Sequence, residues 1–266
     1  MNQVTIRASG LYEWFDCAAR AEARQLLKMR TPSSGKALLG TAIHKSTAAY
    51  DQAVLAGTGI TIDEAAGAAV DAIHHPQQDV VLDDDEKPNE LEATALGLHK
   101  LYCETIAPTQ DYAAVEVECD RLEITDLGLT LTGTTDRVRK VDQGHGVADL
   151  KSGGNAVRAD GHVETKGAAY QLAVYELLAE KASGIPITAP ARVIGLQTGK
   201  TPRGQRVAVS EPIVDARSVL IGDEESPGVL EAVAAMIHAG TFVGNPRSMM
   251  CHDKYCPIFN RCKFRK

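Results

Sequence analysis

Two hydrophobic periodicities divide this chain. Leu11, Trp14, Phe15 and Ala18 recur at helical spacing behind Ser9, and they predict a first helix from Ser9 to about Leu27. A turn-rich connector, residues 30–37, leads into LLGTAIHKSTAAYDQAVLAG, which reads as a second helix closed by a glycine. Helical spacing continues over residues 60–72 and 91–106, on either side of HHPQQDVVLDDDEKPNE, expected to be a solvated acidic surface loop. At Tyr112 the period becomes two: Val115, Val117 and Cys119 alternate with Glu116, Glu118 and Asp120, as in a half-buried strand.

Further strands are predicted near 129–141, 146–151, 191–198 and 205–210. Helices are expected at about 163–183 and from about Ser218 to Ala239. In 129–141 the apolar Leu129 and Leu131 have odd parity whereas Asp136 and Val138 have even parity. Either a bulge near Gly133 re-aims the strand or both its faces are covered. The order of elements predicts an α/β fold, a central mixed sheet flanked by helices. No repeat or biased linker divides it, so a single domain is expected over 1–266. Its parts are a mainly helical region (1–110), a core (111–212) and a C-terminal helix with a Cys-rich tail (213–266).

The formal net charge of -7 argues against a broad electrostatic grip on a polyanion, so any nucleic acid must be held locally. MNQVTIRASG lacks a charged region followed by an apolar run, and no apolar stretch approaches the roughly 20 residues of a membrane helix. A cytoplasmic protein with no membrane contact is expected. Its six cysteines are then read as metal ligands or free thiols rather than disulfides.

The candidate chemistry begins in GTTDRVRKVDQGHGVADLKSGG, residues 133–154. With a period of two, Asp149 and Lys151 project from one face of a strand while Ala148 and Leu150 face the other way. Charges on a covered sheet face are costly unless they pair or bind something, and Asp136 can reach the same place across the hairpin. The set is a candidate site for a hard cation such as magnesium, which takes oxygen ligands. A surface ion pair at a strand end is the competing reading. His44 falls inside a helical pattern, and Gln171 and Tyr175 lie one turn apart on one helix face. At the C-terminus, CHDKYCPIFNRC crowds Cys251, Cys256 and Cys262 into a loop that reads as metal ligation. Cys17 is the best candidate for a fourth ligand, and zinc would satisfy this set too. Cys103 and Cys119 fall on apparent core positions.

Taken in order, S-x-L-x-x-W-x-x-C (Ser9 to Cys17), LGTAIH, GTTDRV, VADLKSG, QLAVY and GNPRSMMCHDKYCPIFNRC resemble the PD-(D/E)xK nuclease superfamily. Within it they resemble the iron-sulfur nucleases of the Cas4 and RecB/AddB type. The resemblance implies a restriction-endonuclease-like core with His44, Asp136 and Asp149 as ligands of Mg2+ or Mn2+, joined by the backbone carbonyl of Leu150. It implies Lys151 as the catalytic lysine and Gln171 and Tyr175 as the helix pair that organises the site and meets DNA. It further implies Cys17, Cys251, Cys256 and Cys262 as ligands of a [4Fe-4S] cluster stapling the tail to the first helix. The chain departs from that pattern at Ala18, where a proline is common, and in having four residues between Cys251 and Cys256.

One of Glu116 and Glu118 is a candidate to support the site, but solvent-facing strand positions are the favoured reading for both. Arg247, Lys254, Arg261, Lys263, Arg265 and Lys266 form a basic tail, read either as a patch that tracks a DNA backbone together with Arg137, Arg139 and Lys140 beside the metal site or as a solvated terminus. Phe259, Tyr255 or Phe264 is expected to stack a base. The implied activity is a DNA exonuclease acting on single strands or free ends. The rivals are a CRISPR adaptation nuclease and a non-catalytic, metal-stabilised DNA-binding module. No Walker-type G-x-x-x-x-G-K-[ST] loop is present, so a helicase, recombinase or integrase partner would supply any unwinding, and assembly into a homo-oligomer is left open.

Overall fold

The computed structural model describes residues 3–142 and 144–265. It opens with β1 (Val4–Arg7), a strand too short for alternation to announce. The predicted first helix is instead broken into α1 (Glu13–Asp16) and α2 (Ala18–Ala21), with a wider helical turn at Glu22–Leu26. The break is Cys17, whose backbone is extended (φ -155°, ψ 94°) and whose sulfur accepts the Asn245 amide at 3.3 Å. A contact with the far end of the chain thus overrides a local helical preference.

Strand β2 (Ser33–Ser34) pairs in parallel with β3 (Val80–Val81), so the acidic segment expected to be all loop contributes a short strand. Around them are α3 (Gly35–Ala56), α4 (Ile62–His74) and α5 (Pro88–Thr105), close to the predicted spans. Ser34 caps α3 and left-handed Gly57 closes it; Thr61 and Glu64 form a reciprocal capping box on α4.

Then follow β4 (Tyr112–Ile124), β5 (Leu129–Val141), β6 (Gly144–Gly153), α6 (Ala168–Ser183), β7 (Arg192–Gln197), β8 (Arg206–Val209) and α7 (Val229–Ala239). Helix α6 begins later than predicted because Val157 and Val163 form a small antiparallel bridge ahead of it. Helix α7 also begins late: Pro227 cannot donate to a helix and disfavours helical backbone before it, so residues 220–228 are not helical.

Six strands form one mixed sheet. β5 carries β4 along one edge. Its other edge pairs first with β1, ending at Arg7 opposite Thr132, and then with β6, beginning at Ala148 opposite Arg137. Residues 133–136 lie between these two partners, so β1 and β6 diverge there as the prongs of a fork. Beyond Ala148, β6 pairs only with β7. The bulge expected near Gly133 is on the partner strand: Asp120 and Arg121 of β4 crowd opposite Thr132.

Helix α6 covers one core, with Leu172, Val174 and Leu178 against Leu129, Leu131, Val138 and Val147. Helices α3 to α5 build the other, with Leu98 and Ile43 against Ala148, Leu150, Ile194 and Leu196. Two glycines allow close approach at the fork. A Cβ on Gly133 would sit 3.3 Å from the Tyr175 ring, and one on Gly40 would sit 3.1 Å from the Ser152 hydroxyl. They let α6 and α3 lie against the sheet on either side of the gap.

Arg137, fully buried on β5, ties the sheet to α3. Its Nε donates to Asp51 Oδ2 of α3 at 2.6 Å, Nη2 to Thr47 Oγ1 at 3.3 Å, and Nη1 to Glu116 Oε1 at 3.2 Å. Tyr102 of α5 also donates to Asp51 Oδ2 (2.7 Å) and lies 2.9 Å from the Tyr112 hydroxyl. Burial pushes the Asp51 carboxyl up, against the pull of Arg137 and Tyr102. Asp51→Ala leaves a buried guanidinium short of its main partner and should cost about 3–5 kcal/mol in urea denaturation. Removing the exposed Lys140–Asp111 pair should change stability by under about 1 kcal/mol.

Candidate active site

The fork gathers residues from five elements. His44 lies on α3, Glu116 on β4, Asp136 on β5, Asp149 and Lys151 on β6, and Gln171 and Tyr175 on α6. Asp136 Oδ1 is 3.5 Å from His44 Nδ1, and Asp136 Oδ2 accepts the Leu150 amide at 2.7 Å. That amide has passed the last paired residue of β6 on the β5 side, so the Asp136 carboxylate takes the place of a missing strand.

Asp149 is 2 % exposed. Its Oδ1 accepts from Gln171 Nε2 at 3.2 Å. Its Oδ2 pairs with the Lys151 ammonium at 2.9 Å, and among the described residues no other donor reaches that buried oxygen. Lys151 Nζ donates to Gln171 Oε1 at 2.8 Å, and Gln171 Nε2 also reaches the Tyr175 hydroxyl at 2.7 Å. The predicted parity of Asp149 and Lys151, and the predicted one-turn spacing of Gln171 and Tyr175, together produce this chain of contacts.

Ligand atoms of His44, Glu116 and Asp136 all lie within 4.8 Å of one another. These donors are two carboxylates and one imidazole, the chemistry of a hard divalent cation, and Asp149 lies outside the group but near enough to act electrostatically on His44. The protein fits such an ion.

Glu116 corrects its reading as solvent-facing, whereas Glu118 is exposed as expected. In the flanking register Glu116 falls opposite Asp136, and its backbone is left-handed (φ 52°), a conformation a non-glycine residue holds only when its surroundings impose it. Nothing in the VEVEC alternation signals that twist. Leu150 contributes its amide to Asp136.

The protonation energetics follow from crowding. For Asp149, burial is the main effect and the carboxylate of Asp136 adds to it; against Lys151, they push its carboxyl up to about 6. Glu116 is raised by burial and by Asp136, against Arg137 and His44. Burial opposes charge on His44, but Asp136, Asp149 and Glu116 outweigh it and raise the imidazole above its usual value. Burial likewise opposes charge on Asp136, yet His44, the Leu150 amide and Arg137 hold it below the usual range. Burial and the two aspartates push the Tyr175 hydroxyl upward.

The predicted basic flank is different. Arg137 is buried in its ion pairs, Arg139 is buried and donates to the Pro190 carbonyl, and Lys140 pairs with Asp111, so the two arginines face the interior rather than a DNA backbone. Phe259 and Phe264 are half-buried and line a cavity. In the tail Lys254 pairs with Asp83, Arg247 and Arg261 are exposed, and Lys266 lies outside the described residues.

Cys17, Cys251, Cys256 and Cys262 line that same cavity, between the N-terminal segment and the tail. All six cysteines are free thiols, with Cys103 and Cys119 buried elsewhere as expected. Burial, with Cys17 and Cys262 nearby, raises the Cys256 thiol. Among the described residues no helix is long and apolar enough to cross a membrane.

A carboxylate-rich cation site with an adjoining lysine, set in a fork of a mixed sheet, has the composition of a metal-dependent hydrolytic centre. The chain matches the PD-(D/E)XK nuclease superfamily over residues 8–263, and it belongs to that superfamily. No curated protein matches it.

Cation binding needs His44 neutral and Glu116 and Asp149 ionised. The metal-free protein holds protons on these raised groups, so binding releases them. Mn2+ affinity measured calorimetrically should therefore strengthen as pH rises from about 5 to about 8, by up to about tenfold per unit for each proton released. A pH-independent dissociation constant would contradict this site.

Proposed function

We propose that this chain is a metal-dependent DNA exonuclease, a single nuclease domain hydrolysing phosphodiester bonds on single strands or at free DNA ends. Its setting is recombination, repair or phage DNA metabolism inside the cell. The observation that carries the reading is the meeting of Asp149 and Lys151, from one face of β6, with His44, Glu116 and Asp136 at the fork.

Magnesium or manganese suits these donors, and when bound it polarises a phosphoryl oxygen and acidifies water. His44, Glu116, Asp136 and Asp149 would hold the ion, with the Leu150 carbonyl as a further oxygen. Lys151 sets an ammonium against charge growing on the phosphate, and Gln171 fixes Lys151 and Asp149 relative to each other. Tyr175, bonded to Gln171, keeps that amide from rotating. A purely DNA-binding role gives no reason to bury the Asp149 carboxylate close to Asp136 and His44.

The four cysteines are proposed as ligands of a [4Fe-4S] cluster joining the tail to the N-terminal segment. Their shared cavity supports this. A helicase, recombinase or integrase is the partner class that would supply opened strands.

The test is digestion of end-labelled linear DNA, single- and double-stranded, by anaerobically purified protein with magnesium or manganese. Lys151→Ala should lower kcat about 10²–10³-fold without loss of fold. Metal-dependent degradation that persists undiminished in Lys151→Ala and Asp149→Ala would sink the assignment. Cys256→Ala should remove visible absorbance and lower Tm; unchanged absorbance would refute the cluster.

A further inference from the structure

A second concavity, of about 640 Å³, lies between the N-terminal segment and the C-terminal tail. Six cations line it, Arg7, Arg20, Arg24, Lys28, Arg30 and Lys254, against the single carboxylate of Glu13. This is a local reversal of sign on a protein of formal net charge -7. Glu13 serves Arg20 and Arg24, and Lys254 pairs with Asp83. Among the described residues Arg7, Lys28 and Arg30 are exposed and have no carboxylate within ion-pair distance. Lys28 is held with left-handed backbone (φ 55°), the second of the strained non-glycine positions near this region.

The groove adjoins the cleft at the carboxylate site. Ala37 borders it and also borders the cleft lined by His44, Lys45 and Glu116. At its other wall Arg7 ends β1 opposite Thr132, the last paired residue before the fork. Tyr255 from the tail lines it as well, half-buried beside Lys254.

Resting on the nuclease reading, we infer that this groove is the track for one DNA strand, whose phosphates run along Arg30, Lys28 and Arg7 into the fork. A space of this volume takes a short stretch of one strand. Unpaired guanidinium and ammonium groups along a concave path are what a sequence-independent single-strand track requires, and Tyr255 gives a base a ring to stack on. The acidic remainder repels the same strand from other faces.

The test measures binding on its own. In a Lys151→Ala background, with fold checked by circular dichroism, anisotropy of labelled oligothymidylates is followed against salt. The double variant Lys28→Glu/Arg30→Glu should weaken single-strand binding more than tenfold and flatten the slope of log K against log salt by about 1.4, two phosphate contacts at about 0.7 each. Arg7→Gln, on a different element, should flatten it by about 0.7, so that an effect shared by both variants does not come from one misfolded loop. Lys181→Glu, exposed at the end of α6, is the control and should leave affinity unchanged.

Unaltered affinity and slope in both groove variants would overturn the track, and so would an end-free duplex binding as tightly through the same residues. If wild-type protein still cuts DNA while the groove variants bind normally, the track fails and the nuclease stands. If binding depends on the groove but wild-type protein cuts nothing with magnesium or manganese, the nuclease reading fails and the track stands.

Discussion

Everything at the sheet fork depends on one buried guanidinium. Arg137 and Asp136 are neighbours on β5 and point to opposite faces. Asp136 serves the cation group, and Arg137 holds α3 through Thr47 and Asp51. On α3 the residues His44, Thr47 and Asp51 follow one another at three- and four-residue intervals, so they share a face. The contact that anchors the helix therefore also aims His44. Nη1 of the same guanidinium reaches Glu116 and donates to the Asp136 carbonyl at 2.8 Å, so β4, β5 and α3 are placed by a single planar group. A lysine has no fork of donors with which to do this.

Such an arrangement is costly without its cation. Burying Asp149 raises its carboxyl, Glu116 sits in a backbone conformation that disfavours it, and three carboxylates crowd one imidazole. Asp149 holds its proton more tightly folded than unfolded, so the stability it lends the metal-free protein is present at low pH and is lost as pH rises through about 6. A bound cation reverses that sign because it favours the ionised form. The left-handed backbone at Glu116 and the buried carboxylate of Asp149 are thus both costs concentrated at one place, which is what makes them informative about function.

The parts of this site visible in the sequence are those set by local periodicity. Alternation alone put Asp149 and Lys151 on one face, and helical spacing put Gln171 beside Tyr175. The position of His44 emerged only from the order of motifs, since a histidine in a helical pattern has many fates. Glu116 and Arg137 were misread for a shared reason. Their roles come from pairing across strands and from contact with α3, and neither leaves a mark on a stretch such as VEVEC or DRVRK. The breaks at Cys17 and before α7 were missed differently, since apolar spacing persists through residues whose backbone is set by distant contacts or by a following proline.

The break at Cys17 also explains how a short N-terminal segment can serve the fork, the cysteine cavity and the basic groove at once. An unbroken helix would separate Gly10 from Gln25, fifteen residues on, by about 22 Å. Here the chain folds back, and Gln25 Nε2 donates to the Gly10 carbonyl at 2.7 Å. That reversal brings Lys28 and Arg30 round to the groove that Arg7 borders, and leaves Cys17 facing the tail. Arg20, buried in the same bend, donates to the Tyr255 carbonyl at 3.3 Å and so fixes the opposite wall. The cysteine centre and the cationic groove are consequences of one bend, so a change that straightened the helix would disturb both before it touched the carboxylates.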